Sequence, residues 1–249
     1  MTCAWRLAVL LSICPLSISA VALADEGASP GMAPAQMQAS MDMNDASRFG
    51  QLLVDQLEWR GGGGGERSGV WDAQGGYGGD YDKLWVKTEG EWPSGAGAQG
   101  RAELLWDRIV ASWWRLQSGG RYDFGSGPGR GWAAIGIQGL APYWIDVEAT
   151  LYAGSGGTLA ARFKAESDLR FTQRLLLQPE LELNGYSRAD RPRLQAAGLA
   201  DVDAGLRLRY EIRREMAPYL GLAWTRRSGE IGGELHGELQ WLAGVRFRY

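Results

Sequence analysis

The chain has 249 residues, a net charge of −3 and no run rich in Lys or Arg, which argues against a nucleic-acid-binding protein. Its 37 glycines argue against a helical protein, because a glycine inside a helix costs about 1 kcal/mol relative to alanine. Its 12 tryptophans and 9 tyrosines suit a membrane–water interface, where an amphipathic ring has one wet and one apolar side.

Residues 1–24, the first segment in chain order, are predicted to form a secretory signal peptide. Arg6 supplies the positive charge, and an apolar stretch follows it to about Ala20. Ala22-Leu23-Ala24 fits the small-x-small cleavage rule. The mature chain is therefore expected to begin near Asp25.

The two cysteines, Cys3 and Cys14, both fall inside this segment. The mature protein is therefore expected to have no disulfide, thiolate metal site or cysteine nucleophile. Cys14 ends a stretch that weakly resembles a lipoprotein box, but Ile13 stands where such boxes have a small residue, which argues against lipidation. After the signal, no apolar run approaches the ~18 residues that a membrane helix requires.

Residues 25–48 are rich in Ala, Pro, Ser, Gln and Met and show no usable periodicity, which predicts a disordered segment. Four methionines cluster within it: Met32, Met37, Met41 and Met43. Thioether sulfur is a soft ligand that selects Cu(I), so the cluster is a candidate metal site. The alternative is chance clustering in a low-complexity linker.

From residue 49 to residue 249 the sequence predicts an all-β domain. Apolar and polar residues alternate, as near the C-terminus, where Trp241, Val245 and Phe247 share one face and Arg246 and Arg248 the other. Period two is typical of a strand with one apolar and one polar face. The predicted strands lie at about 49–60, 69–79, 83–92, 101–110, 113–125, 131–140, 143–153, 158–170, 173–186, 199–213, 217–227 and 236–249.

This alternation fits two architectures. In a soluble sandwich the apolar face covers the core, whereas in an outer-membrane barrel it faces lipid and the polar face lines the lumen. Dense charges of both signs, an aromatic final residue and alternating tight and Gly-rich connections favour the barrel. We predict a transmembrane antiparallel up-and-down β-barrel of about 12 strands with both ends in the periplasm, and the sandwich remains the alternative.

The charged residues of the polar faces are predicted to fill the lumen as ion pairs, because a small barrel must fill its interior. The alternative is that they form a transport path. These residues are Lys87, Glu89, Glu103, Asp107, Arg115, Arg121, Asp123, Asp146, Glu148, Arg162, Lys164, Glu166, Asp168, Glu180, Glu182, Arg207, Arg209, Glu211, Arg246 and Arg248.

Catalysis has little support in the sequence. The single histidine, His236, is expected at the start of the last strand, and a Ser-His-Asp type of enzyme would need an activating carboxylate and a serine beside it. Ser228 and Glu230 lie close in sequence, but such proximity in a loop is common by accident. We therefore predict that the protein is not an enzyme, with an outer-membrane hydrolase as an alternative.

Several long blocks, in order along the chain, resemble the copper resistance protein B family. They extend over nearly all of the chain from Met41 to Tyr249, which makes the resemblance specific. The blocks are LVDQLEW (53–59), WDAQGGYGGDYDKLWVKTEGE (71–91), LAPYWIDVEATLY (140–152), TQRLLLQPELELN (172–184), GLRLRYEIRREMAPYLGLAWTR (205–226) and AGVRFRY (243–249).

The resemblance implies an outer-membrane copper-resistance barrel that works beside periplasmic copper proteins. Family members usually carry a long N-terminal region rich in Met and His, whereas this region is short, keeps four Met and has no His. We therefore expect copper, as Cu(I), to be the bound ion, and the barrel to be its anchor or conduit in outer-membrane lipid. A passive small porin without a metal role is the alternative.

Overall fold

The computed structural model describes residues 48–63, 67–125, 127–189, 197–227 and 237–249. Over these ranges the chain forms twelve strands in one antiparallel sheet. They are β1 (Phe49–Gly62), β2 (Arg67–Gly78), β3 (Asp82–Pro93), β4 (Gln99–Ala111), β5 (Trp114–Phe124), β6 (Arg130–Ala141), β7 (Ile145–Gly154), β8 (Leu159–Ser167, continued by Leu169–Arg170), β9 (Leu175–Tyr186), β10 (Gly198–Tyr210), β11 (Met216–Arg227) and β12 (Gly237–Arg248).

The sheet is closed into a barrel. Each strand pairs with the next in chain order, and β12 pairs with β1 from Leu53↔Arg248 to Gly62↔Gln240. Closure leaves no free sheet edge, which is the condition for a sheet to cross a lipid bilayer. The predicted up-and-down barrel of twelve strands is confirmed. In the described ranges no helix has the length and apolar character needed to span a membrane.

The period-two alternation decides which side chains face outward. On β4, Leu104 and Trp106 are exposed on the outer face, while Glu103, Leu105 and Asp107 are buried inside. Exposed aromatic rings lie near both ends of the wall, as expected where a barrel crosses the two membrane interfaces. They include Trp59, Trp92, Tyr122 and Trp224 at one end and Tyr77, Trp106, Tyr210 and Phe247 at the other.

The two ends of the barrel differ in their connections. At one end, here called the turn end, strands are joined through residues 79–81, 112–113, 142–144, 171–174 and 211–215. The connections at the opposite end, the loop end, are mostly longer, the longest being 187–197 and 228–236. β1 begins and β12 ends at the turn end, so the order of short and long connections follows the predicted one.

Most observed strand boundaries lie within two residues of the predicted ones, and at two of them the prediction placed turn residues inside a strand. Alternation placed Tyr143 in β7, but Tyr143 and Trp144 have φ of 67° and 61° and form a turn that ends at the pair Ala141↔Ile145. Alternation also predicted that β10 extends to residue 213. The strand ends at Tyr210, and the chain turns over residues 211–215. Apolar alternation continues through both turns, so the pattern alone placed them wrongly.

The alternation is interrupted in β1 by a β-bulge. The register shifts between Val54 and Leu57, and Asp55 and Gln56 are consecutive yet 4% and 5% exposed, respectively. A bulge inserts an extra residue and so re-aims a side chain. Two neighbouring polar groups therefore enter the lumen where strict alternation would send one of them outward.

The predicted signal peptide (1–24) and the whole methionine cluster lie outside the described residues, as does His236. The division into a signal peptide, a segment at 25–48 and a barrel at 49–249 therefore stays a prediction.

Candidate functional site

A layer of ion pairs crosses the middle of the lumen. Its six members, here called the central layer, are Lys87, Glu89, Arg101, Glu148, Arg162 and Glu182. The guanidinium of Arg162, which is 5% exposed, donates to three carboxylates: Glu89 Oε2 at 2.7 Å, Glu148 Oε1 at 3.3 Å and Glu182 Oε2 at 3.0 Å. These carboxylates lie on β3, β7 and β9. Arg162 on β8 therefore links β3, across the lumen, to its own neighbouring strands.

Two further cations complete this layer. Arg101 donates to Glu182 Oε1 at 3.0 Å and is also paired with Glu89, so both carboxylates are shared with Arg162. Lys87 Nζ lies 2.7 Å from Glu148 Oε2. A cavity of about 30 Å³ remains at this level, which is enough space for one or two water-sized occupants. Ion-paired side chains therefore occupy much of the middle of the lumen.

A second network fills the side formed by β1, β9, β10 and β11. Arg207, which is almost fully buried, donates to Glu58 Oε2 at 3.1 Å and to Glu180 Oε2 at 2.8 Å. Arg60 also donates to Glu58, at 2.6 Å, and Tyr219 donates to it at 3.1 Å. These contacts support the prediction that opposite charges fill the interior of the barrel.

The opposite flank of the lumen is aromatic. Trp132 Nε1 donates to Asp123 Oδ2 at 2.8 Å, and the hydroxyl of Tyr152 donates to Glu103 Oε1 at 2.8 Å. The guanidinium of Arg121 lies 4.6 Å from the centre of the Tyr152 ring and is paired with Asp123 at 2.6 Å. Here aromatic rings take much of the space that charged side chains fill elsewhere.

Towards the loop end the lumen widens into a cavity of about 810 Å³, here called the vestibule. Its walls carry five basic residues (Arg60, Arg101, Arg121, Lys164 and Arg227) and eight acidic ones: Asp72, Glu89, Glu91, Asp123, Glu180, Glu182, Asp201 and Asp203. The wall thus has three more carboxylates than basic groups, and two arginines behind it, Arg162 and Arg207, pair with Glu182 and Glu180.

An acidic cluster lies near the β1 bulge. Carboxylate oxygens of Asp55, Glu166 and Glu180 all lie within 4.8 Å of one another. The cluster already has cationic partners: Arg246 Nε is 2.7 Å from Asp55, and Lys164 Nζ is 3.9 Å from Glu166. The protein's own side chains therefore already serve as its counter-ions.

The predicted lumen charges mostly lie on the inner face, with two departures. Glu211 belongs to the turn after β10, and Arg248 is exposed at the end of β12. The prediction also missed several inward groups: Asp55, Glu58, Arg60, Asp72, Arg101 and Asp203. Arg101 and Asp203 are in phase with recognised inward positions on their own strands, so alternation could have found them. Glu58, Arg60 and Asp72 lie on β1 and β2, where no inward charge was recognised, and Asp55 depends on the bulge.

Soft metal donors are scarce in the barrel. Within the described ranges there is one methionine, Met216, and there is no cysteine or histidine. The lumen offers oxygen donors, which suit harder cations than Cu(I). Met32, Met37, Met41 and Met43 lie outside the described residues. The structure therefore gives no distance between their sulfur atoms.

Comparison with known proteins agrees with the barrel and adds a family. Residues 48–249 match the model of the family described as copper resistance protein B precursor. The Escherichia coli copper resistance protein B is 42% identical, over 78% of this chain and 68% of its own length. A copper resistance protein B homolog of Pseudomonas syringae pv. tomato is 40% identical, over 76% of this chain and 64% of its own. The chain thus spans about two thirds of these relatives.

Among solved structures, the NanC porin superposes with a TM-score of 0.57, covering 80% of this chain and all of the porin. At 14% identity this likeness concerns the fold alone. The family match extends over the whole described barrel, from Arg48 to Tyr249, and both curated relatives are named for copper resistance. The chain belongs to the copper resistance protein B family.

Proposed function

We propose that this copper resistance protein collects Cu(I) through Met32, Met37, Met41 and Met43, and that the barrel holds this segment at the periplasmic face of the outer membrane. The observation that carries the proposal is the distribution of donors. Four of the five methionines after residue 24 lie in the N-terminal segment, while the described barrel offers one thioether and otherwise oxygen and nitrogen groups of paired side chains. Thioether sulfur is the donor that selects Cu(I).

The barrel acts mainly as an anchor in this proposal. A passive porin needs an aqueous path, and the ion pairs of the central layer narrow the lumen between β3, β4, β7, β8 and β9. Outer-membrane lipid then covers the apolar outer face. Periplasmic copper-resistance proteins are the expected partners of the segment, which would exchange copper quickly because an unstructured set of thioethers must be ordered on binding.

A Cu(I) competition titration of the refolded mature chain tests the assignment. We expect tight binding by the unaltered protein and its loss in the variant with Met32, Met37, Met41 and Met43 changed to Leu. Met216→Leu is the matched control, since it removes a thioether from the barrel, and it should bind like the unaltered protein. Binding retained by the quadruple variant would overturn the assignment, and no binding by either would favour the porin alternative.

The hydrolase alternative has no supporting observation among the described residues. It predicts that His236→Ala abolishes an esterase or deacylase activity, and assays with simple ester substrates would decide it.

A further inference from the structure

The exposed charges at the turn end are unevenly distributed. The part of this end formed by β8 to β12 carries five exposed arginines: Arg170, Arg174, Arg213, Arg214 and Arg248. Two carboxylate side chains, Glu211 and Glu215, lie in the connections of the same part. The three remaining connections, residues 79–81, 112–113 and 142–144, contain a single charged side chain, that of Asp80. Positive charge is therefore concentrated on one side of this end.

These five arginines differ from the arginines next to them in the lumen. Arg209 lies 3.6 Å from Asp168, and Arg246 lies 2.7 Å from Asp55. Among the residues that the structure describes, no group forms an ion pair or hydrogen bond with any of the five exposed arginine side chains. Their positive charges are therefore available to a ligand outside the barrel.

Strand pairing shows that Arg213 faces the lipid side of the wall. Arg213 forms an isolated antiparallel bridge with Met216, and Met216 pairs with Phe247. Residues directly opposite each other on antiparallel strands project from the same face of the sheet. Phe247 is exposed on the outer face, so Arg213 projects outward beside it. Arg214 follows at the tip of the same turn and is also exposed.

Arg170 and Arg248 face the mouth of the lumen instead. Arg170 pairs with Leu176, which is 1% exposed and lies inside the barrel. Arg248 lies two residues after Arg246, whose guanidinium contacts Asp55 inside the barrel, so the period of two places Arg248 on the inner face. Arg213 and Arg214 thus carry the same charge at the same end as Arg170 and Arg248, but they face lipid.

The depth of Arg213 matches the headgroup layer of a bilayer. Tyr210 and Phe247 belong to the exposed aromatic residues at the turn end of the wall. Arg213 follows Tyr210 by three residues, which span at most about 11 Å. A bilayer has roughly 5–8 Å of headgroup region on each side of its hydrocarbon core. The guanidinium of Arg213, on its long apolar stem, therefore lies within reach of the lipid phosphates.

We propose that Arg213 and Arg214 bind the phosphate of one anionic phospholipid, whose acyl chains lie along the outward-facing pair Leu208↔Leu220. A guanidinium presents a rigid fork of donors that matches phosphate oxygens. Five arginines against two carboxylates leave an excess of three positive side chains at this part of the turn end. That excess favours a headgroup with a net negative charge over a zwitterionic one, which brings its own cation. The site needs no copper and does not depend on the role of the methionine segment.

Native mass spectrometry of the refolded full chain in detergent, titrated with phosphatidylglycerol, tests the proposal. We expect saturable binding of a first lipid, which phosphatidylcholine and inorganic phosphate do not reproduce. Arg213→Gln combined with Arg214→Gln should weaken this binding roughly 25-fold, since each basic residue near an anionic surface contributes about fivefold. Both side chains are exposed and make no bond within the described barrel, so this double variant should fold.

The matched control is Arg170→Gln combined with Arg248→Gln, which removes the same charge from the lumen mouth and should retain the affinity. Thermal unfolding gives a second readout. Phosphatidylglycerol should raise the melting temperature of the control, because a ligand that binds only the folded state stabilises it, and raise that of the variant altered at Arg213 and Arg214 less. Equal affinities of the unaltered protein and this variant, or equal losses in both double variants, would overturn the site. Equally tight binding of phosphatidylcholine or inorganic phosphate would overturn its assignment to an anionic lipid.

Discussion

At the scale of single residues, Arg162 acts as a tethered cation inside a ring of carboxylates. Its guanidinium binds Glu89, Glu148 and Glu182 at once, from three different strands. Alternation predicted that Arg162 and these carboxylates face inward. It could not predict which would meet, because a partner across the lumen depends on barrel size and strand stagger, neither of which is encoded in any one strand.

Arg162→Ala should therefore destabilise the barrel and open it. Removing one partner of a buried ion pair costs about 3–5 kcal/mol, since the remaining charges lose their counter-ion. We expect a lower unfolding free energy in denaturant and a higher, cation-selective conductance in planar bilayers. Free guanidinium ions should reduce that conductance by occupying the vacated position.

The matched control is Arg227→Ala. The Arg227 side chain is 58% exposed and pairs with Glu91 at 2.9 Å near the loop end, so its loss should cost no more than about 1 kcal/mol. Equal conductance of Arg162→Ala and the unaltered protein would show that the central layer does not close the lumen.

At the scale of elements, the turn between β6 and β7 holds two aromatic residues in the left-handed region. Tyr143 (φ 67°) is 89% exposed and Trp144 (φ 61°) is 73% exposed. This conformation costs an L-residue roughly 1–2 kcal/mol. Because both rings are largely exposed, few contacts with the barrel are available to offset that cost.

Tyr143→Gly should consequently raise the unfolding free energy in detergent by about 1 kcal/mol, because glycine adopts positive φ without a steric penalty. Trp113→Gly in the neighbouring β4–β5 turn is the control, since Trp113 is not among the residues with positive φ. It should give no gain. A lower unfolding free energy for Tyr143→Gly would mean that the tyrosine ring stabilises the barrel by more than the backbone strain destabilises it.

The elements also show where sequence patterns lose information. Period two located all twelve strands because each presents an apolar face outward and a polar face inward. It failed at Tyr143, where a turn interrupts alternation without a Gly or Asn to mark it. It also failed at Asp55, where an added residue reverses the phase of β1. Both are local backbone events that residue types alone do not specify.

At the scale of the whole molecule, the barrel is expected to fold without the methionine segment. The family match begins at residue 48 and the strands pair only with one another. A chain starting at Arg48 should therefore show the same heat-modifiable migration on gels and the same melting temperature as the mature protein. It should lose Cu(I) binding, and retained Cu(I) binding would contradict the proposed function.

The pairing of β1 with β12 has a consequence for assembly. The two strands that close the barrel are the first and last in chain order. The pairing of β1 with β12 can therefore form only after all the strands between them are in place. Until then both carry a full row of unpaired backbone donors and acceptors, which lipid cannot satisfy. Closure and membrane insertion should thus occur together, late in folding. Before closure, partly folded chains should depend on chaperones.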